Sequence, residues 1–150
     1  MSFTITTALP LHLSALRSRL RTGDRMELTC MGLTPARALW LSYRASLVRR
    51  VALIDGQPIA AWGCAGVALG GVGEPWLLTA PEVERSPVRM VRAARGEVDL
   101  MLEIYPTLRN YVAAEYRQAC RFLEVLGFQL GEPFALGPKR ALFRHFTAGR

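Results

Sequence analysis

Lysine is nearly missing from this sequence: Lys139 stands alone, and arginine supplies the rest of the 19 basic side chains. Histidine occurs twice (His12, His145) and cysteine three times (Cys30, Cys64, Cys120), with no C-x-x-C pair. That spacing excludes a zinc site or a disulfide framework, so no metal site is expected, and a reducing compartment is implied. Long apolar runs are lacking too: nothing approaches the roughly 18–20 uncharged apolar residues that span a bilayer. The opening segment, residues 1–17, has no basic stretch ahead of its apolar part and reads as mature structure rather than a secretory signal. The glycines at 63–73 lack the G-K-[ST] of a phosphate loop, no G-x-G-x-x-G opens a helix after a strand, and no serine sits in a G-x-S-x-G elbow. Those absences remove nucleoside-triphosphatase, dinucleotide-binding and serine-hydrolase readings.

What remains is a chain of 150 residues, 51% hydrophobic and 21% charged, which can bury one core and suits a single domain over residues 1–150. The formal net charge is +7, so the surface attracts polyanions, phosphorylated cofactors among them. The arginines are spread along the chain and form no stripe, which argues against a nucleic-acid reader.

Leu9, Leu13, Leu16 and Leu20 recur at helical spacing behind a short β-type run at residues 3–7. Residues 21–28 read as a turn. Thr34 and Pro35 open the next helix as N-cap and first position, with Ala38, Leu41 and Ala45 as its apolar partners. Asp55-Gly56 between two apolar runs predicts a hairpin with a type I′ turn. Residues 75–79 form a short strand, and Ser86-Pro87 caps and starts a long helix whose inner face is Met90, Val91, Ala94, Val98 and Met101. A strand over 108–113 and a helix over 118–126 follow, the helix closed by Gly127. Residues 128–134 and 139–146 complete a second hairpin. The order is β-α-α-β-β-β-α-β-α-β-β.

The stretch LRNYVAAEYRQACRFLEVLGFQ, residues 108–129, resembles the strand–helix–Leu-Gly-Phe element of the GNAT acetyltransferases. Leu126-Gly127-Phe128 match its ending, and Ala119, Phe122 and Leu123 its inward positions. More specifically, the chain is similar to small phage-encoded GNAT-like proteins of the virion or morphogenesis type. It shares their D-R-x-E-L segment (Asp24–Leu28), W-L-L-T strand (Trp76–Thr79) and Y-P-x-L-x-N-Y-V segment (Tyr105–Val112), in that order. The resemblance implies an α+β fold with a mixed central sheet flanked by helices. It also implies acetyl-CoA in a wedge between two splayed parallel strands.

On that resemblance Trp76, Leu77, Leu78 and Thr79 would pair with the cofactor's pantetheine chain. Arg85, Ser86 and Arg89 would meet its pyrophosphate at a helix N-terminus, where free N–H groups suit phosphate. An N-acetyltransferase of this kind works by positioning, removal of an amine proton and stabilisation of an oxyanion. Glu27 and Glu115 (and Glu74) are the candidate bases. Tyr116 is the candidate proton donor to the departing thiolate. The sequence also departs from the family: Pro81–Ser86 has no glycine and carries Glu82 and Glu84, which repel phosphate. Tyr116 stands where asparagine is usual, and Leu123 where the acid tyrosine is usual. Two expectations follow: an acetyltransferase acting on an unidentified amine, or an inactive relative serving virion morphogenesis or binding a phage or host protein. Either would work in the host-cell cytoplasm or in the virion.

Overall fold

The computed structural model describes residues 1–150, the side chain of residue 68 apart. In chain order it comprises β1 (Phe3–Thr7), α1 (Pro10–Leu16), α2 (Thr22–Cys30), α3 (Pro35–Ala45), β2 (Ser46–Ile54), β3 (Gln57–Ala65) and β4 (Val72–Thr79). Then come α4 (Pro87–Ile104), β5 (Thr107–Ala113), α5 (Arg117–Val125), β6 (Gln129–Leu130), β7 (Phe134–Leu136) and β8 (Ala141–Gly149). The strands form one mixed sheet in the order β1-β2-β3-β4-β5-β8-β6, with β7 also on β8. This is the expected α+β architecture of a mixed sheet flanked by helices. Among the described residues, no helix is long and apolar enough to cross a membrane, and no three His, Cys, Asp or Glu side chains gather as a metal site.

Local chemistry explains several elements. Asp55 and Gly56 adopt φ of 49° and 81°, the positive pair a type I′ turn needs, and Ile54 pairs with Gln57 across it. Thr34 accepts a hydrogen bond from the Arg37 N–H at 3.2 Å and caps α3. Gly127, at φ 98°, turns the chain back after α5, so that Phe128 is buried edge-on against Phe146 at 5.1 Å.

Four details differ from what the sequence predicts. Residues 21–28 do not turn; they begin α2. Its fully buried residues are one carboxylate and one leucine, Asp24 and Leu28, so no apolar period announces it. In α3 the inward residues are Ala38 and Leu39, and Leu41 is exposed. Ser86 precedes α4 with Pro87 at its first position, but its ψ of 64° makes no side-chain cap. The second hairpin is shorter than expected, β7 against β8 around Gly137 and Arg140, with β6 a separate two-residue strand.

The two sheet faces carry separate cores. One, under α4 and α5, is built on Ile59, Met101, Tyr105, Val112, Phe128 and Phe146. The other, under α1 to α3, holds Leu13, Leu16, Leu28, Leu39, Ala61 and Leu78. Each fully buried leucine or isoleucine contributes roughly 1.5–3 kcal/mol. Inside α4, Glu97 receives Arg50 at 3.0 and 3.1 Å and the Trp62 indole at 3.0 Å, which pins this helix across β2 and β3.

β4 and β5 are the sheet's parallel pair, and they pair only at Val72–Thr107 and Gly73–Leu108. The cause lies in Pro75. Its carbonyl faces β5 and takes the Asn110 side-chain N–H at 2.9 Å. With no N–H of its own on that edge, it cannot continue the ladder. Beyond it the strands part.

Candidate active site at the parting of β4 and β5

Strand alternation puts the C=O of Pro75 and the N–H and C=O of Leu77 and Thr79 on the edge of β4 that faces β5. Thr79 is already engaged on that edge. Its N–H donates to Asp24 Oδ2 at 2.6 Å, its hydroxyl donates to the same oxygen at 2.7 Å, and its carbonyl accepts the Arg21 N–H at 2.8 Å. Arg21 Nε in turn donates to the Thr79 hydroxyl oxygen at 2.6 Å. The other oxygen of Asp24 accepts the Tyr116 hydroxyl at 2.6 Å, and Arg21 Nη2 lies 3.7 Å from it. One turn along α2, Glu27 Oε2 accepts the Ala113 N–H at the end of β5, at 2.8 Å. Helix α2 therefore bridges the ends of both diverging strands with two carboxylates spaced i, i+3 on one face.

The helix can approach because residue 23 is glycine: a β-carbon there would run into the Tyr116 ring. Burial disfavours charge on Glu27 and, with the neighbouring Asp24 charge, pushes its carboxyl up to about 7, against the lowering by the Ala113 N–H. Burial, the Asp24 charge and its hydrogen bond together push the Tyr116 phenol well above its ordinary range. Here are a carboxyl that can exchange a proton near neutrality and a phenol that stays protonated. The two buried thiols are poor nucleophiles: burial pushes Cys64 up to about 12 and raises Cys120 as well.

The expected site residues divide. Glu27 and Tyr116 come together around Asp24, whereas Glu115 and Glu74 are exposed with no ion pair among the described residues. Trp76 and Leu78 turn their side chains toward α1 to α3. The Trp76 indole donates to Ser46 Oγ at 2.7 Å, and Leu78 is core. Leu77 keeps its edge position and is partly exposed. Arg89 lies over the Phe3 ring at 5.2 Å, on the edge strand three places from β4, while Arg85 and Ser86 stay at the start of α4. The two carboxylates of the glycine-free turn are paired, Glu82 with Arg19 at 2.6 Å and Glu84 with Arg21 at 3.3 Å.

A cleft of about 470 Å³ opens beside this network between the starts of α2 and α5 and the turn after β4. Arg21, Thr22, Glu84, Tyr116, Arg117 and Gln118 are among its lining residues. The side chains of Thr22, Arg117 and Gln118 make no hydrogen bond among the described residues, and no side chain caps the first turn of α5. The backbone of Leu77 is unpaired on the β5 side, and Arg117, Gln118 and Thr22 present free donors at the cleft. At Thr79 the edge is already filled by α2. The sequence reading overlooked Arg21, Asp24, Arg117 and Gln118. The i, i+3 spacing of Asp24 and Glu27 was the available signal, legible only once this segment is seen as a helix.

A mixed sheet whose parallel pair splays beside a β-α-β crossover, followed by a helix ending in Leu-Gly-Phe, defines the class: the chain has the GNAT acetyltransferase fold. Among solved structures it is similar to aminoglycoside acetyltransferase AAC(6')-Ib bound to ribostamycin and coenzyme A (TM-score 0.73, 17% identity, 100% of this chain and 94% of that one). It is also similar to a spermidine N-acetyltransferase SpeG chimera from Vibrio cholerae (TM-score 0.69, 13% identity, 99% and 96%). The ribosomal-protein-S18-alanine N-acetyltransferase from Escherichia coli is a further match (TM-score 0.69, 14% identity, 99% and 94%). At these identities the likeness establishes the fold. No protein-family model matches the chain, and comparison with curated proteins finds no match.

Proposed function

We propose that residues 1–150 act as one domain that transfers an acyl group from acyl-CoA to an amine, with Glu27 as general base. The observation that carries this reading is Glu27 itself, a partly buried carboxyl at the parting of β4 and β5, pushed up to about 7 and adjoining the Asp24–Tyr116 pair. A base is most effective when its proton affinity matches the working pH. Coenzyme A-bound acetyltransferases with the same fold and amine substrates support the choice of cofactor and acceptor class.

Acetyl-CoA, when bound, supplies a thioester carbonyl that an amine can attack. Leu77 would hold its amide-bearing chain through the free strand edge, and Arg117, Gln118 and Thr22 would meet its phosphates. Glu27 Oε1 takes the amine proton, directly or through a water, while Oε2 stays on the Ala113 N–H. The Tyr116 hydrogen is committed to Asp24 in this arrangement, so its service as donor to the departing thiolate requires that bond to open.

The test is thiol release from acetyl-CoA with a panel of polyamines, aminoglycosides and N-terminal peptides, alongside calorimetric titration of the cofactor. Glu27→Gln should bind cofactor as the wild type does and lose about 10²–10⁴-fold in turnover, the usual share of a general base. No cofactor binding at millimolar concentration would sink the reading.

Two features favour a second reading, a non-catalytic GNAT-fold protein of phage or prophage origin serving virion morphogenesis or holding a phage or host protein. The turn after β4 has two carboxylates in place of glycines, and α2 fills the Thr79 edge. Under it the protein would reside in the host-cell cytoplasm or the virion, and wild type and Glu27→Gln would be equally silent in the transfer assay.

A further inference from the structure

Asp24 makes contacts that no other carboxylate in the molecule makes. It is 5% exposed, lies in the first turn of α2, and accepts three hydrogen bonds from two other parts of the chain. Two come from Thr79 at the end of β4, and the third comes from Tyr116 at the start of α5. A buried carboxylate is costly unless it is paired and bonded, and each of these bonds is charge-assisted. The groups that face the pair of α2 carboxylates are Arg21 from the residue before α2, Tyr116 and Cys120 from α5, and the uncharged Thr79 and Ala113 N–H from the strand ends. Arg21 is itself shared with Glu84. Against Glu27, then, Asp24 is the one acidic neighbour that acts, and its position is fixed by groups Glu27 does not touch.

We infer that Asp24 is the positioning residue of this site: it fixes the Tyr116 hydroxyl between α2 and α5 and, one turn from Glu27 on the same helix face, is coupled to that carboxyl. The role assigned to Glu27 rests on the acyltransferase reading, but the coupling between the two carboxylates does not. Asp24, tied on both oxygens, has no free face for a substrate. Glu27 keeps Oε1 free of any hydrogen bond among the described residues.

The experiment is a carbon-13 NMR titration of the side-chain carboxyls in the full chain, with Glu27→Gln used to assign the Glu27 resonance. In Asp24→Asn the Glu27 midpoint should move to lower pH, because a like charge has been removed. In Tyr116→Phe, which keeps the Asp24 charge, it should stay near the wild-type value. An unmoved midpoint in folded Asp24→Asn overturns the proposal, as does an equal shift in Tyr116→Phe. If Asp24→Asn does not fold, the wild-type protein decides: the Asp24 carboxyl resonance should show a step at the Glu27 midpoint, as interacting sites do. A featureless Asp24 resonance there overturns the coupling. Should transfer activity be found, the rising limb of its pH profile should move with the Glu27 midpoint in Asp24→Asn. NMR coupling without any transfer would leave this inference standing and defeat the acyltransferase reading alone.

Discussion

At the scale of single residues, Glu27 gives up stability to hold its position. Its carboxyl is raised from 4.5 to about 7 chiefly by burial. A raised carboxyl favours the folded state fully below the unfolded value, and that advantage is lost as pH climbs through the folded one. The difference between acid and alkaline limits is about 3 kcal/mol at most. Glu27→Gln keeps an oxygen for the Ala113 N–H and never ionises, so at about pH 8 it should be more stable than wild type by up to that amount. Near pH 4 the two should converge, and denaturant midpoints at both pH values check this. A glutamine variant that is less stable at pH 8 would show that burial of charge is not what raises the group. Gly23→Ala works in the opposite sense: its methyl would displace the Tyr116 ring, with a cost of roughly 1–3 kcal/mol typical of overpacking. It should also lower the Tyr116 phenol toward its ordinary range, read by ultraviolet titration. Glu27 and Tyr116 could be picked from the sequence because their residue types advertise acid–base chemistry. Asp24 could not, since an aspartate beside a glycine looks like a turn until the ring it packs against is known.

Elements show where reading a sequence succeeds and where it stops. The Asp55-Gly56 hairpin, the Thr34-Pro35 helix start and the Leu126-Gly127-Phe128 ending are local devices, each decided by its own few residues, and each stands as read. Helix α2 is decided from outside: Thr79, Ala113 and Tyr116 lie 55, 86 and 92 residues away from the carboxylates they bond. No window of sequence contains that information. The turn over Pro81–Arg85 is a similar case, because its carboxylates look repulsive to phosphate until Arg19 and Arg21 are seen against them. Half-neutralised is not absent, however. Glu84 is 52% exposed and adjoins the cleft, so Glu84→Gln should free Arg21 and tighten coenzyme A binding several-fold at low salt. Arg117→Glu should weaken it by more than tenfold, whereas Arg89→Glu, remote over Phe3, should change it little. Calorimetry on the three variants separates this cleft from the start of α4 as the phosphate-facing surface; a dominant loss in Arg89→Glu would reverse the assignment.

Across the whole molecule, the sheet is two halves joined at one end. β1 to β4 and β5 to β8 share two paired positions, the Asn110 bridge and the α2 carboxylates, with α4 and its core beneath. Such a seam is where local opening should begin, since few hydrogen bonds cross it. The Leu77 amide, on the unpaired edge of β4, should therefore exchange with solvent well before those of Trp62 or Val51 in the interior of β2 and β3. A ligand lying in the parting would bond that amide and tie the halves together. Because it binds only the folded chain, a concentration one hundred times its dissociation constant adds about 2.7 kcal/mol of stability. For a chain of this length that raises the melting temperature by roughly 5–10 °C. Acetyl-CoA should thus slow exchange at Leu77 and raise the melting temperature together. A thermal shift without protection at Leu77 would mean that the cofactor binds elsewhere. Protection at Leu77 from coenzyme A but not from pyrophosphate would assign the contact to the amide-bearing chain, and the partial filling of the Thr79 edge by α2 would then set how much of that chain the strand can hold.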